Sequence, residues 1–140
     1  MIILDTNVLS ELMRPKPSNR VSEWVAKQPA TELFTTSITE AEIFLGIESL
    51  PPGQRREGLL RAAENMFAED FGGRVFGFES DAARFFSKIA SHRRAIGKPI
   101  SHADAQIAAI ARLRNARLAT RNMADFDDCG VDLVNPCDAP

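Results

Sequence analysis

Residues 1–12 read MIILDTNVLSEL: four apolar residues, then Asp5, Thr6 and Asn7, then a second apolar stretch. A short apolar run that ends in polar residues reads as a buried strand feeding directly into a helix. The carboxylate at its end is costly there. An ionised Asp beside buried strands needs something to pair with it, and the first basic side chain of the chain is Arg14. Either a solvated turn relieves Asp5, or a cation from elsewhere does.

Working outward, strand-like runs recur at LFTTS (33–37), RVFGF (74–78), RLAT (117–120) and VDLV (131–134). Between them, apolar residues three and four apart predict helices over Ile38 to Leu50, Arg55 to Phe67, Ser80 to Ala95 and Ala103 to Arg114. RPKP at 14–17 separates a short first helix from another around Val21 to Ala26, and PPG at 51–53 and FGG at 71–73 punctuate the stretch from Arg55 to Phe67. Strands that alternate with helices imply parallel pairing, because parallel neighbours need a crossover. The expected fold is an α/β class, three-layer α/β/α sandwich with a mainly parallel sheet built from these five runs.

At 140 residues, with 44% apolar and 26% charged residues, the chain suits one core, and no repeat or linker divides it, so a single domain over 1–140 is expected. A net charge of −2 excludes the simplest kind of nucleic-acid binder, which carries a large basic excess. It leaves nucleic acid open as a substrate, since bound cations restore the local field of a carboxylate-rich site. No apolar run is long enough to span a bilayer, and Asp5 interrupts any leader core, so a cytoplasmic location is expected. Cys129 and Cys137 have no nearby His partners and read as reduced thiols, and His92 and His102 are too few for a zinc site.

In open α/β sheets ligands bind beyond the carboxyl ends of the strands, so further acids belong near Asp5. Glu40 and Glu42 follow LFTTS, Asp104 lies in SHADAQIAA, and Asn122 and Asp125 follow RLAT. Each has a bland reading. Glu42 with Thr39, and Glu40 with Ser37, fit capping boxes, and Asp104 three after Ser101 fits a first-turn acid. Asn7 suits a helix cap as well as it suits a site. Jointly, carboxylates held close together repel and raise one another's pKa unless cations sit between them. Hard divalent ions, Mg²⁺ or Mn²⁺, suit such an all-oxygen set.

MIILDTNVLSELMRPKP, the Glu42 of SITEAEIFLG, the Asp104 of SHADAQIAA and LATRNMADF together resemble the successive motifs of PIN-domain ribonucleases, over essentially the whole chain. The similarity is closest to the VapC-type toxins of bacterial toxin–antitoxin pairs, in the FitB-like branch, through Arg14, Pro15, Pro17 and Trp24. The resemblance implies a divalent-metal-dependent endoribonuclease with Asp5, Glu42 and Asp104 as the acidic metal-binding core. Some members carry an acid directly after TR, where this chain has Asn122, and Asp125 is the candidate to take over that role. Thr6, Asn7, Thr120 and Asn122 are candidates to orient the carboxylates. A small DNA-binding antitoxin and a homodimer are the implied partners, with transfer or ribosomal RNA the common substrates of such toxins.

Arg84, Lys88, His92, Arg93, Arg94 and Lys98 read either as phosphate guidance or as an ordinary solvated helix face. The apolar surface of residues 43–67 packs on the sheet, and in the resembled family this region receives an antitoxin segment. Two rivals remain. A haloacid-dehalogenase-like phosphatase would use Asp5 as its nucleophile, though such enzymes typically place a second Asp two residues on, where Asn7 stands. A catalytically weak PIN-like binding module would keep the fold without hydrolysis.

Overall fold

The computed structural model describes residues 1–138. Five short strands, β1 (Ile2–Leu4), β2 (Leu33–Thr36), β3 (Val75–Phe76), β4 (Arg117–Ala119) and β5 (Leu133–Val134), form one sheet in the order β3-β2-β1-β4-β5. Every pairing is parallel. The helices are α1 (Thr6–Leu12), α2 (Asn19–Lys27), α3 (Ser37–Glu48), α4 (Gln54–Asn65), α5 (Ser80–Ala95) and α6 (His102–Arg114). The expected α/β sandwich and its five strands are therefore present, with boundaries trimmed by a residue or two.

Strand alternation explains the opening run. Ile2 and Leu4 point into a core shared with Val8, Leu9, Val21, Trp24, Ile43, Ile47 and Phe67 from α1 to α3 and the turn after α4. Ile3 points the other way, into a core with Ile89, Ile107, Ile110 and Phe126. The central strand is thus buried on both faces, which is why it reads as unbroken apolar sequence. Helix α6 approaches closely because four of its buried residues, Ala105, Ala108, Ala109 and Ala111, are alanines with at most 1% exposure.

Two local features escape the periodicity. Residues Met66–Asp70 continue α4 as a π-helical turn, and Gly72 follows it at a point where a Cβ would stand 2.8 Å from the Ala68 carbonyl oxygen. A 3-10 turn at Met123–Phe126 carries the segment after β4. Among the described residues no helix is long and apolar enough to cross a membrane. Cys129 is buried, Cys137 is half-buried, and both are free.

The cap of α3 corrects an expectation. Its N-cap is Thr36, whose Oγ1 accepts the Thr39 amide at 3.1 Å, so neither Ser37–Glu40 nor Thr39–Glu42 forms the cap. Glu42 lies a turn further on and is released from that duty. At α6 the expected cap forms: Ser101 Oγ accepts the Asp104 amide at 3.2 Å. His102, the first residue of α6, packs its ring on Phe86 at 5.5 Å.

The alanine face of α6 yields a test. Ala108→Leu forces side chains into a filled interface and is expected to lower stability by about 1–3 kcal/mol. Chemical denaturation measures it, and an unchanged midpoint would contradict the close packing of α6.

Candidate metal-binding cleft

The sheet order reverses between β1 and β4: β2 and β3 extend to one side of β1, and the chain then returns to place β4 and β5 on the other. That switch point is where α/β folds bind ligands. Asp5 ends β1, its amide donating to the Ala119 carbonyl of β4 at 2.9 Å. Thr120 ends β4 alongside it. A cleft of about 540 Å³ opens there, lined by Asp5, Thr6, Asn7, Glu42, Asp104, Asn122 and Asp125 among others. All four predicted acids, drawn from four separate segments, face this one space.

Asp5 is 5% exposed. Burial pushes its carboxyl up to about 6; the Thr120 hydroxyl and the Thr6 amide pull it down, and repulsion from Asp104 and Glu42 adds to the rise. Asp104, half-buried, is also raised, first by burial and then by the nearby Asp125 and Glu42, with the Ser101 bond and the Arg93 charge opposing. Glu42 and Asp125 lie at the exposed rim.

Hydroxyls and amides hold these acids in place. Thr120 Oγ1 donates to Asp5 Oδ2 at 2.9 Å, and Asn7 Nδ2 donates to Thr120 Oγ1 at 3.3 Å. Thr6 Oγ1 donates to Glu42 Oε1 at 2.7 Å and sits 3.0 Å from Thr39 Oγ1. The Asn122 amide donates to Thr120 Oγ1 at 3.1 Å. Asn7 is therefore no helix cap. It is the second residue of α1, whose N-cap is Asp5, and its Oδ1 accepts the Arg121 amide at 3.1 Å.

A hard divalent cation fits this donor set. Asp5 is a buried carboxylate whose strongest charged influences, Asp104 and Glu42, are both negative, so added positive charge relieves it. Among the described residues no three Asp, Glu, His or Cys side chains close tightly enough to enclose an ion by themselves. The acids line an open cleft instead, which suits Mg²⁺, an ion held by one or two carboxylates with water and substrate phosphate completing its shell.

Sequence reasoning misplaced Arg93. Rather than lying on a basic face it is 5% exposed. Its Nε donates to the Lys98 carbonyl at 2.7 Å, and one terminal nitrogen donates to the carbonyls of Asp125 at 3.0 Å and Asp127 at 2.8 Å and lies 3.5 Å from Cys129 Sγ. It fixes the turn that carries Asp125. Arg84, Lys88, His92, Arg94 and Lys98 are exposed as a solvated face would be. Glu11, Arg14 and Arg121 were missed as cleft-lining residues; Glu11 stands six after Asp5, which is not a same-face helical spacing, so no local pattern signalled it.

A compact, all-parallel α/β sheet with acids gathered at its switch point is an arrangement in which a divalent cation can be held. Residues 2–130 match the PIN domain. The chain is 36% identical over 136 residues to the VapC ribonuclease Y4jK of Sinorhizobium fredii, covering 97% of each. It is 35% identical over 136 residues to the toxin FitB of Neisseria gonorrhoeae, covering 97% of this chain and 98% of that one. The solved structure of FitAB bound to an IR36 DNA fragment superposes with a TM-score of 0.93 at 34% identity, covering 100% of this chain and 98% of that one. The chain belongs to the PIN-domain family, among its VapC- and FitB-type members.

Two stability tests follow. With a folded pKa near 6 against an ordinary 3.8, the native state binds the proton of Asp5 more tightly than the unfolded chain. Stability from this group is present at low pH and is lost as pH rises through about 6, a cost of about 3 kcal/mol above it. In EDTA at pH 7.5, Asp5→Asn is expected to raise stability by about 1–3 kcal/mol, the gain shrinking toward pH 4; a less stable variant at pH 7.5 would contradict the burial of an uncompensated charge. Arg93→Met strands three carbonyls and is expected to lose about 3 kcal/mol or more in denaturant titration; a loss under about 1 kcal/mol would place Arg93 outside the fold's support.

Proposed function

We propose that the chain is a divalent-metal-dependent endoribonuclease acting as the toxin of a toxin–antitoxin pair, in a single PIN-like domain over 1–140. The observation that carries this reading is the convergence of Asp5, Glu42, Asp104 and Asp125 on one cleft at the sheet's switch point. Its membership of the PIN-domain family and the ribonuclease and toxin names of its relatives support it.

In this reading Asp5 and Asp104 would hold Mg²⁺ or Mn²⁺ directly, Glu42 would hold a second ion or orient the attacking water, and Asp125 would contribute directly or through water where Asn122 brings no charge. When bound, the ion supplies charge neutralisation at the phosphoryl oxygens and a more acidic water. The chain's own residues do the positioning. Thr120 fixes Oδ2 of Asp5 and Thr6 fixes Oε1 of Glu42, so both carboxylates are held in the cleft they line. Asn122, which lines the same cleft, would help to orient the attacking water. The phosphatase alternative loses support because the amide of Asn7 is engaged with Thr120 and Arg121.

The partners in this reading are an RNA substrate, transfer RNA among the candidates, a DNA-binding antitoxin and a second copy of the chain. The DNA-bound FitAB complex supports the antitoxin. So does an apolar cleft beside the acidic one, lined by Met13, Pro15, Ile43, Ile47, Leu50 and Leu59.

Asp5→Asn and Asp104→Asn are each expected to reduce metal-dependent RNA cleavage by about 100-fold or more while circular dichroism stays native. Chelation abolishes wild-type activity and Mg²⁺ or Mn²⁺ restores it. Full cleavage by either purified variant overturns the assignment.

A further inference from the structure

The acidic cleft has a basic margin that the reading above does not use. Arg14 and Arg121 line it too, and both reach the same carboxylate: Arg14 Nη1 lies 3.2 Å and Arg121 Nη1 3.1 Å from Glu11 Oε2. Glu11 is 6% exposed. The Ser18 amide donates to its other oxygen at 2.9 Å, and that amide first, then the two guanidinium groups, hold its carboxyl below the ordinary range. Arg121 is anchored twice, its amide by Asn7 and its side chain by Glu11.

One guanidinium and the Ser18 amide suffice to compensate Glu11. A second guanidinium on the same oxygen brings like charges together and leaves the trio with a surplus positive charge. As a stability device this is weak, since the Arg14 side chain is 67% exposed and exposed ion pairs contribute little. As a binding device it is coherent. Each guanidinium has five N–H donors, and neither makes another side-chain hydrogen bond among the described residues. Glu11 lies six residues after Asp5, about 9 Å along α1. Among the described residues the ion pairs of both arginines are with Glu11, and none is with Asp5, Glu42, Asp104 or Asp125, so the pair is not spent on the acids of the nuclease reading.

We propose that Arg14 and Arg121, oriented by the buried Glu11, form a subsite for a backbone phosphodiester of single-stranded RNA next to the one cleaved. Paired, pre-oriented guanidinium forks match phosphate oxygens bidentately. The inference rests on the ribonuclease reading and deepens it: the acids address the scissile group, and the arginines hold the strand in register.

The test uses the full chain, with Glu11→Gln as reference so that no variant leaves a buried unpaired carboxylate. Binding of a short fluorescent single-stranded RNA is read by anisotropy in EDTA across a salt series. The triple variant Glu11→Gln, Arg14→Gln, Arg121→Gln is expected to bind about 10–100-fold more weakly than Glu11→Gln alone. Its slope of log affinity against log salt falls by about 0.7, the share of one single-strand phosphate contact. Its KM rises with it, while Mn²⁺ affinity by calorimetry does not fall, since removing two positive charges from the same cleft can only favour a cation. Arg121→Lys and Arg14→Lys, which keep the charge and lose the fork, retain the salt slope and weaken binding less; they serve as the folded control. Unchanged RNA affinity and slope in the triple variant, beside intact metal-dependent cleavage by the wild type, removes the subsite and leaves the nuclease standing. Failure of the wild type to bind or cleave any RNA removes the nuclease reading, and the subsite with it.

Discussion

The structure is arranged around a carboxylate buried where burial is unfavourable. Asp5 closes the central strand of a sheet covered on both faces, its nearest neighbours in charge are acids, and its direct support comes from a hydroxyl and an amide. Nothing about packing requires an acid at that position. A Leu or Val would extend the strand into either core without the desolvation cost. With Glu42, Asp104 and Asp125 facing the same cleft, Asp5 leaves a standing deficit of positive charge that added positive charge would relieve.

The rest of the site answers to that deficit at one remove. Thr120, Asn7 and Thr6 fix carboxylate orientation without adding charge, so the field stays negative where the acids face the cleft. Cationic side chains are kept away from direct pairing with Asp5. Arg93 grips backbone carbonyls beneath the turn that carries Asp125, and Arg14 and Arg121 are turned toward Glu11. The cleft therefore combines an acidic portion with a basic one, each stabilised by its own buried partner.

Much of this was legible in the sequence. The strands were readable because a parallel sheet buried on both faces makes short unbroken apolar runs, and the acids because they fall directly where those runs or helix starts end. The cap of α3 was misread because Thr36, Ser37 and Thr39 all have the chemistry to cap, and only backbone geometry selects among them. Arg93 was misread for a related reason. In a stretch holding His92, Arg93 and Arg94, the residue that turns inward depends on how α5 packs against the 122–129 segment, which no local period encodes. The partnership of Glu11 with Arg121 spans 110 positions, beyond any motif.

The sheet order also has a consequence for biosynthesis. β1 leaves the ribosome before its neighbour β4, and the Thr120 hydroxyl that steadies Asp5 comes 115 residues later. Contacts of such long range are the last to be rewarded during folding. A partly translated polypeptide that lacks β4 therefore has no assembled acidic pocket, and the site can form only once β4 and Thr120 have emerged. Any partner that must restrain this protein has the whole interval of translation in which to be made.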